Sequence, residues 1–365
     1  MDRRSFLKKA GIGSAAAASA AAASFPTPAI SQGTMELKMV TTWPKNFPGL
    51  GTGAQRAADR ITALTDGRIT VKVFAAGELV PPFESFDAVS QGTADMYHAA
   101  DYYWLGKHTA YAFFCAVPLG MTYAEQSAWI AYGGGQELWD ELGAGFNIKS
   151  LLCGNTGTQM AGWFKNEVKS LEDLKGLKFR MPGLGGELMR QIGVNVINLP
   201  GGEIFPALQS GAIDGADWVG PWNDLAFGFY KVAKNYYYPN MSEGGAAIGL
   251  GINKGVWDKL SPTDQEIFKS AAAAENSQFY ADFNANNAKS LNTLINEHGV
   301  KVSHFPDDII DALGKAAPDV LASAATDDIG KRIHDAYLKS RDDYRGWSQV
   351  AEPAYVRDRA RVLGS

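Results

Sequence analysis

Polar and apolar side chains alternate over Glu36-Leu37-Lys38-Met39-Val40, the period of a half-buried strand. A Pro- and Gly-rich loop from Trp43 to Gly53 follows, then apolar positions at helical spacing from Thr52 to Thr65, stopped by Asp66-Gly67. Alternation resumes from Arg68 to Phe74. A helix is expected over Phe83 to Gly92 and a third strand over Ala94-Asp95-Met96-Tyr97-His98. This β-α-β-α-β order opens an α/β sheet.

The pattern restarts after Cys153. Strands are expected at Ala161 to Lys165, Leu177 to Arg180, Val194 to Leu199 and Ala216 to Val219. Between them lie a capped turn at Ser170 to Leu174, a helix over Gly186 to Ile192, and a helix over Glu203 to Ser210 closed by Gly211. The apolar run Ile248 to Ile252 reads as a strand that crosses back to the first sheet. From Ser261 the chain turns helical, with Ser261 as N-cap and Pro262 at the first helical position. That helix is expected to reach about Glu297. Shorter helices follow over Asp307 to Leu313, Pro318 to Ala325 and Asp328 to Arg345. The last is charged without an obvious single apolar face and is expected to pack on a surface or a partner. Two α/β domains joined by crossing segments leave a cleft, the usual seat of a ligand.

The N-terminus adds an address. Arg3-Arg4 stands before Ser5-Phe6-Leu7, an Ala-rich stretch runs from Ala10 to Ser24, and small residues at Thr27-Pro28-Ala29 suit cleavage after Ala29. This is the order of a twin-arginine signal peptide over residues 1–29, so export to the periplasm is expected. Hydrophobic residues at 46%, charged residues at 20% and a net charge of −5 describe an ordinary globular chain and leave nucleic acid without a basic surface to bind. The two cysteines, Cys115 and Cys153, sit in apolar surroundings that favour buried free thiols over a disulfide. With five scattered histidines and no CxxC, a zinc or redox site has no support.

An exported oxidoreductase is the main alternative. Gly49-Leu50-Gly51-Thr52-Gly53-Ala54 has the form G-x-G-x-x-A before a helix, yet it stands several residues beyond the first strand. A dinucleotide fingerprint turns directly out of the strand. No Ser/His/Asp or Cys/His arrangement has motif support, so the chain is expected not to be an enzyme. A ligand-binding sensor would use the same cleft.

Lys175-Gly176-Leu177-Lys178-Phe179-Arg180-Met181-Pro182 narrows the reading. It resembles the phrase L-K-G-L-K-I-R of the binding-protein component of TRAP transporters, the DctP-type family. Phe205-Pro206-Ala207-Leu208-Gln209-Ser210-Gly211-Ala212-Ile213-Asp214-Gly215 resembles the family's E-V-Y-x-A-L-Q-x-G-x-V-D-G. Val89 to Asp95 and Leu260 to Gln265 resemble two further family phrases, so the likeness runs over essentially the whole mature chain.

The resemblance implies an α/β, two-domain periplasmic-binding-protein fold with an interdomain cleft and long connecting and C-terminal helices. The expected parts are domain I, residues 34–154 plus 248–285, domain II, residues 155–247 plus 286–325, and a C-terminal helical extension, 326–365, as a possible dimer contact. The implied ligand is a small 2-oxo monocarboxylate such as pyruvate, delivered to the TRAP membrane permease. Arg180 is implied as the carboxylate ligand, and a guanidinium suits that role because it is always charged and binds bidentately. Asp217 and Glu243 beside it would repel an anion unless a cation intervenes. Gln159, Asp217, Glu243 and the main-chain carbonyl of Trp218 are the expected metal ligands, with Na⁺ preferred and Ca²⁺ the alternative. Tyr102, Tyr103, Asn155, Gln159 and Trp218 are expected to contact the ligand, with Thr156, Trp222 and Trp43 to Phe47 nearby. Asp214 is expected to shape a turn.

Overall fold

A computed structural model describes residues 34–364, so the expected signal peptide lies outside the described residues. The strands are β1 (Met35–Thr41), β2 (Ile69–Phe74), β3 (Met96–Ala99), β4 (Ile148–Asn155), β5 (Gly162–Phe164), β6 (Lys178–Arg180), β7 (Asn195–Ile197), β8 (Gly215–Ala216), β9 (Asn235–Tyr238), β10 (Ala247–Asn253) and β11 (Lys301–His304). The helices are α1 (Leu50–Leu64), α2 (Ser85–Ser90), α3 (Tyr123–Tyr132), α4 (Gly135–Ala144), α5 (Gly183–Gln191) and α6 (Gly201–Ser210), followed by α7 (Pro221–Phe227), α8 (Lys254–Trp257), α9 (Pro262–Asn296), α10 (Asp307–Ser323), α11 (Asp328–Val350) and α12 (Glu352–Leu363). The helices α3 and α4 and the strands β4, β9 and β11 carry no pattern that the sequence reading singled out.

The strands form two sheets, ordered β2-β1-β3-β10-β4 and β11-β9-β5-β8-β6-β7. The strand β10 returns to the first sheet as expected and pairs antiparallel with β3 and β4. Every one of its residues is buried, which explains a continuous apolar run where a half-exposed strand would alternate. In the second sheet β6 runs parallel to both β7 and β8, so their C-terminal ends emerge side by side.

The helix α9 is 35 residues long, and the Ser261 hydroxyl accepts from the Asp264 amide at 3.1 Å to cap it. It packs on β4 and α1 of the first lobe and on α7 of the second. Gly49 and Gly53 of the glycine-rich run belong to this contact, whereas Gly51 sits against the backbone of Pro44 and Asn46 in its own loop. A side chain at Gly49 would strike the rings of Phe283 and Trp222, and one at Gly53 would lie 2.6 Å from Phe279. These glycines admit the aromatic face of α9 against α1, and that space is filled by rings.

Two helical expectations change. Residues 307–323 form one helix through Pro318 because its buried stripe, Ile309, Leu313, Ala317, Val320 and Leu321, continues past the proline. Packing holds a turn that a missing N–H would otherwise end. The first half of α11 is also core: Gly330, Ile333 and Tyr337 are buried, and the Tyr337 hydroxyl accepts from the Met121 amide at 2.7 Å. By contrast α12 buries no residue, and Trp347, Val350, Tyr355, Val356, Val362 and Leu363 are exposed. Both cysteines are buried and free, as their surroundings suggested.

Candidate functional site

Arg180 ends β6 beside Ala216 of β8, and the Asp217 amide donates to the Arg180 carbonyl at 2.9 Å. The two strand ends therefore present Arg180, Asp217 and Trp218 together. A second pair of segments closes on them. The Gln159 amide donates to the Glu243 carbonyl at 3.1 Å, and the Asn240 amide to the Gln159 carbonyl at 3.2 Å. The Thr156 amide donates to the Ala246 carbonyl at 3.0 Å, which ties the end of β4 to the start of β10. Residues far apart in the chain, 155–159, 180, 217–218 and 243, thus share one buried neighbourhood.

Arg180 is completely buried. Its Nε donates to the Leu199 carbonyl at 3.0 Å and its Nη1 to the Asp217 carbonyl at 2.8 Å, while the guanidinium lies 5.2 Å from the Trp218 ring. Nη2 has no partner. The Asp217 carboxylate is 4.0 Å from Nη1 and accepts from Asn240 Nδ2 at 3.1 Å through Oδ1, but Oδ2 is unpaired. Glu243 Oε2 and Gln159 Oε1 are unpaired as well. Gln159 Nε2 is used, donating to the Thr156 hydroxyl at 3.1 Å. Asn155 accepts from the Gly157 amide through Oδ1 at 2.9 Å and leaves Nδ2 free, and Trp218 Nε1 is also free.

Buried polar atoms are nearly always paired, so this concentration of exceptions carries information. The exceptions divide by type. Three oxygens, from Gln159, Asp217 and Glu243, await a positive partner. Three N–H groups, from Arg180, Asn155 and Trp218, await an acceptor. Oxygen ligands of this kind fit a hard cation such as Na⁺ or Ca²⁺.

The first lobe supplies the opposite wall. Tyr102 and Tyr103 follow β3 on the turn Asp101–Trp104, and Tyr102 lies against Gly183 at the start of α5. Trp43, just after β1, meets Trp218 edge to face at 6.4 Å, and Phe47 meets the same indole at 6.3 Å. Trp43 is itself aimed by His98, whose Nδ1 accepts from the indole N–H at 2.9 Å. Burial lowers the His98 pKa to about 3, so the ring is neutral. Burial likewise pushes Tyr103 up to about 12 and Tyr102 well above its ordinary value, which leaves both as neutral donors. Burial also raises Asp217, against the pull of Arg180, and raises Glu243, where the charge of Asp217 adds to the effect.

Of the expected residues, Arg180, Gln159, Asn155, Asp217, Trp218, Glu243, Tyr102 and Tyr103 lie in this one neighbourhood. Trp222 stands apart, packed on Phe283 of α9. Asp214 is a turn residue, accepting the Lys178 amide at 2.9 Å. Asn240 and the Leu199 carbonyl, which hold Asp217 and Arg180, were not expected. No local motif marks them, because each acts across about twenty residues of chain through a tertiary hydrogen bond.

Two α/β lobes meeting around a buried, charged and polar site have the arrangement of a two-domain solute-binding protein. A family model for bacterial extracellular solute-binding protein, family 7 (DctP), matches residues 39–327. The chain belongs to this family, the solute-binding proteins of TRAP transporters. A monocarboxylate 2-oxoacid-binding periplasmic protein of Nostoc sp. is 39% identical over 358 residues, 97% of this chain and 98% of the relative. Among solved structures, a TRAP solute-binding protein from Bordetella bronchiseptica has a TM-score of 0.89 at 36% identity, over 91% of this chain and 99% of that one. It is a dimer of mixed occupancy with calcium and picolinate in the occupied site. A second, from Pseudoalteromonas atlantica, holds sodium and pyruvate, with a TM-score of 0.85 at 35% identity over 89% of this chain and 99% of that one.

Proposed function

We propose that this protein captures a small 2-oxo monocarboxylate, pyruvate or a close analogue, together with a metal cation, and delivers it to a TRAP membrane permease. The observation that carries the reading is the split set of unpaired buried atoms: oxygens of Gln159, Asp217 and Glu243, and N–H groups of Arg180, Asn155 and Trp218. A 2-oxo acid offers a carboxylate and an adjacent keto oxygen, which together chelate a cation. In this reading Arg180 takes the carboxylate, assisted by Asn155 and the hydroxyls of Tyr102 and Tyr103. Gln159, Asp217, Glu243 and the Trp218 carbonyl hold the cation, Na⁺ by preference and Ca²⁺ as the alternative. The cation lets two carboxylates and an anionic ligand share one buried site.

The aromatic wall of Trp43, Phe47 and Trp218 favours a short ligand without polar substituents. Lobes of residues 34–154 plus 248–285 and 155–247 plus 286–325 would close on it, with α9 as the connecting strut. Export by the twin-arginine route and a homodimer built on residues 326–365 complete the proposal.

Titration calorimetry with pyruvate, on protein freed of ions and then supplied with NaCl or CaCl₂, tests it. Binding is expected only with a cation present, and Arg180→Ala is expected to abolish it while the protein stays folded. Unchanged affinity in that variant would reject the role of Arg180. Pyruvate binding indifferent to both ions would reject the cation.

A further inference from the structure

Behind the cation-side turn sits another buried carboxylate, Asp224 of α7. Its Oδ1 accepts from the amides of Val219 and Gly220 at 3.3 and 3.2 Å. Its Oδ2 accepts from the Trp163 indole N–H at 2.8 Å and the Tyr236 hydroxyl at 2.7 Å. Four donors therefore occupy the four accepting positions of one carboxylate. The two amides belong to the residues that directly follow Asp217 and Trp218. The two side-chain donors come from neighbouring strands: Trp163 of β5 pairs with Ala216, the residue before Asp217, and stacks on Tyr236 of β9 with ring centroids 4.0 Å apart.

We propose that Asp224 is the positioning residue of the cation site, fixing the turn 217–220 so that the Asp217 carboxylate and the Trp218 carbonyl are aimed before the ion arrives. Asp217 and Trp218 lie on a turn that strand β8, only two residues long, cannot hold rigid. The clamp supplies the missing rigidity from the protein side. On the other side, the Trp218 ring rests on Gly201, where any side chain would collide with it. Trp218 is thus pinned between α6 and the Asp224 clamp. Partners that orient metal ligands from behind in this way set affinity by removing the cost of organising the ligands on binding. The inference rests on the cation reading given above.

The first sheet contains the control. Asp101 is equally buried and accepts from the Tyr97 hydroxyl at 3.1 Å and the indoles of Trp104 and Trp139 at 3.2 and 3.0 Å. It has the same chemistry as Asp224 without touching the turn 217–220. Asp224→Asn keeps the shape, offers one acceptor oxygen, and turns an N–H₂ group toward donors.

The test measures calcium affinity by calorimetry on the full mature protein, without pyruvate and then with it, for wild type, Asp224→Asn and Asp101→Asn. Asp224→Asn is expected to weaken calcium binding about 10- to 100-fold, with pyruvate affinity largely restored at saturating calcium. Asp101→Asn is expected to lower the melting temperature while calcium affinity stays within about twofold. Equal calcium affinity in Asp224→Asn and wild type, or an equal loss in both variants, would overturn the proposal. Should Asp224→Asn fail to fold, Tyr236→Phe removes one donor and is expected to weaken calcium about threefold; no change there overturns the proposal too. A wild type that binds pyruvate without any cation removes the underlying reading, and that outcome is visible before any variant is made.

Discussion

At the scale of single residues, the site is organised by what is left unpaired. Arg180 is held by two main-chain carbonyls and keeps one N–H group free, so its direction is fixed before a ligand arrives. Its importance was legible because a short motif marks it. Asn240 and Asp224 were illegible because their partners are remote in sequence, and an isolated Asn or Asp carries no signal of its own. Asp101 bears a prediction. Burial pushes its carboxyl up to about 7 in spite of three donors, with the neutral hydroxyls of Tyr97 and Tyr111 and the neutral thiol of Cys115 as its facing titratable groups. The unfolded chain titrates near 4, so between about pH 4 and 7 the folded state holds a proton that the unfolded state releases. The stability contributed by this group therefore falls as pH rises through that window. Ligand-free protein is expected to melt at a higher temperature at pH 5.5 than at pH 7.5, and Asp101→Asn to shrink the difference; scanning calorimetry at the two pH values checks this.

At the scale of elements, the long helix α9 decides how the glycine run near the N-terminus is used. As a string of letters, Gly49 to Ala54 has the form of a dinucleotide fingerprint, although it stands several residues beyond β1. Its use is decided by Phe279 and Phe283, more than 220 residues later, which fill the space that Gly53 and Gly49 leave. An ion-pair network reinforces the contact: Arg56 reaches Glu275 at 2.8 Å and Asp282 at 3.0 Å, and Arg60 reaches Glu275 at 3.3 Å. Gly53→Ala would press its methyl group on the Phe279 ring and is expected to cost about 1–3 kcal/mol in denaturant unfolding, the usual range for an overfilled core. A cost near zero would mean that α1 and α9 are not in contact as described. The same dependence on packing explains α10, where Pro318 misled the local reading because the apolar stripe around it was the stronger signal.

At the scale of the whole molecule, two sheets share a long helix, and the polar site lies buried between their strand ends. In the proposed homodimer, a second copy would cover the exposed apolar residues of α12 and the end of α11. The chain shortened after Ala351 loses only α12, which buries nothing, whereas Ile333 and Tyr337 remain in the core. That protein is expected to bind pyruvate with unchanged affinity but to run as a monomer in light scattering where the full chain runs as a dimer. A shortened chain that stays dimeric would place the interface elsewhere. By itself, the sequence determined the opening strand-helix alternation of the first sheet, the return of β10, the cap of α9 and the place of Arg180, because each is written in a local period, a cap or a contiguous motif. Tertiary structure alone decided that Asn240 and Asp224 hold the segment carrying Asp217, that Trp43 and Trp218 meet, and that Gly49 and Gly53 face a helix. Those facts depend on which strand ends become neighbours, and that is fixed by packing over the whole chain.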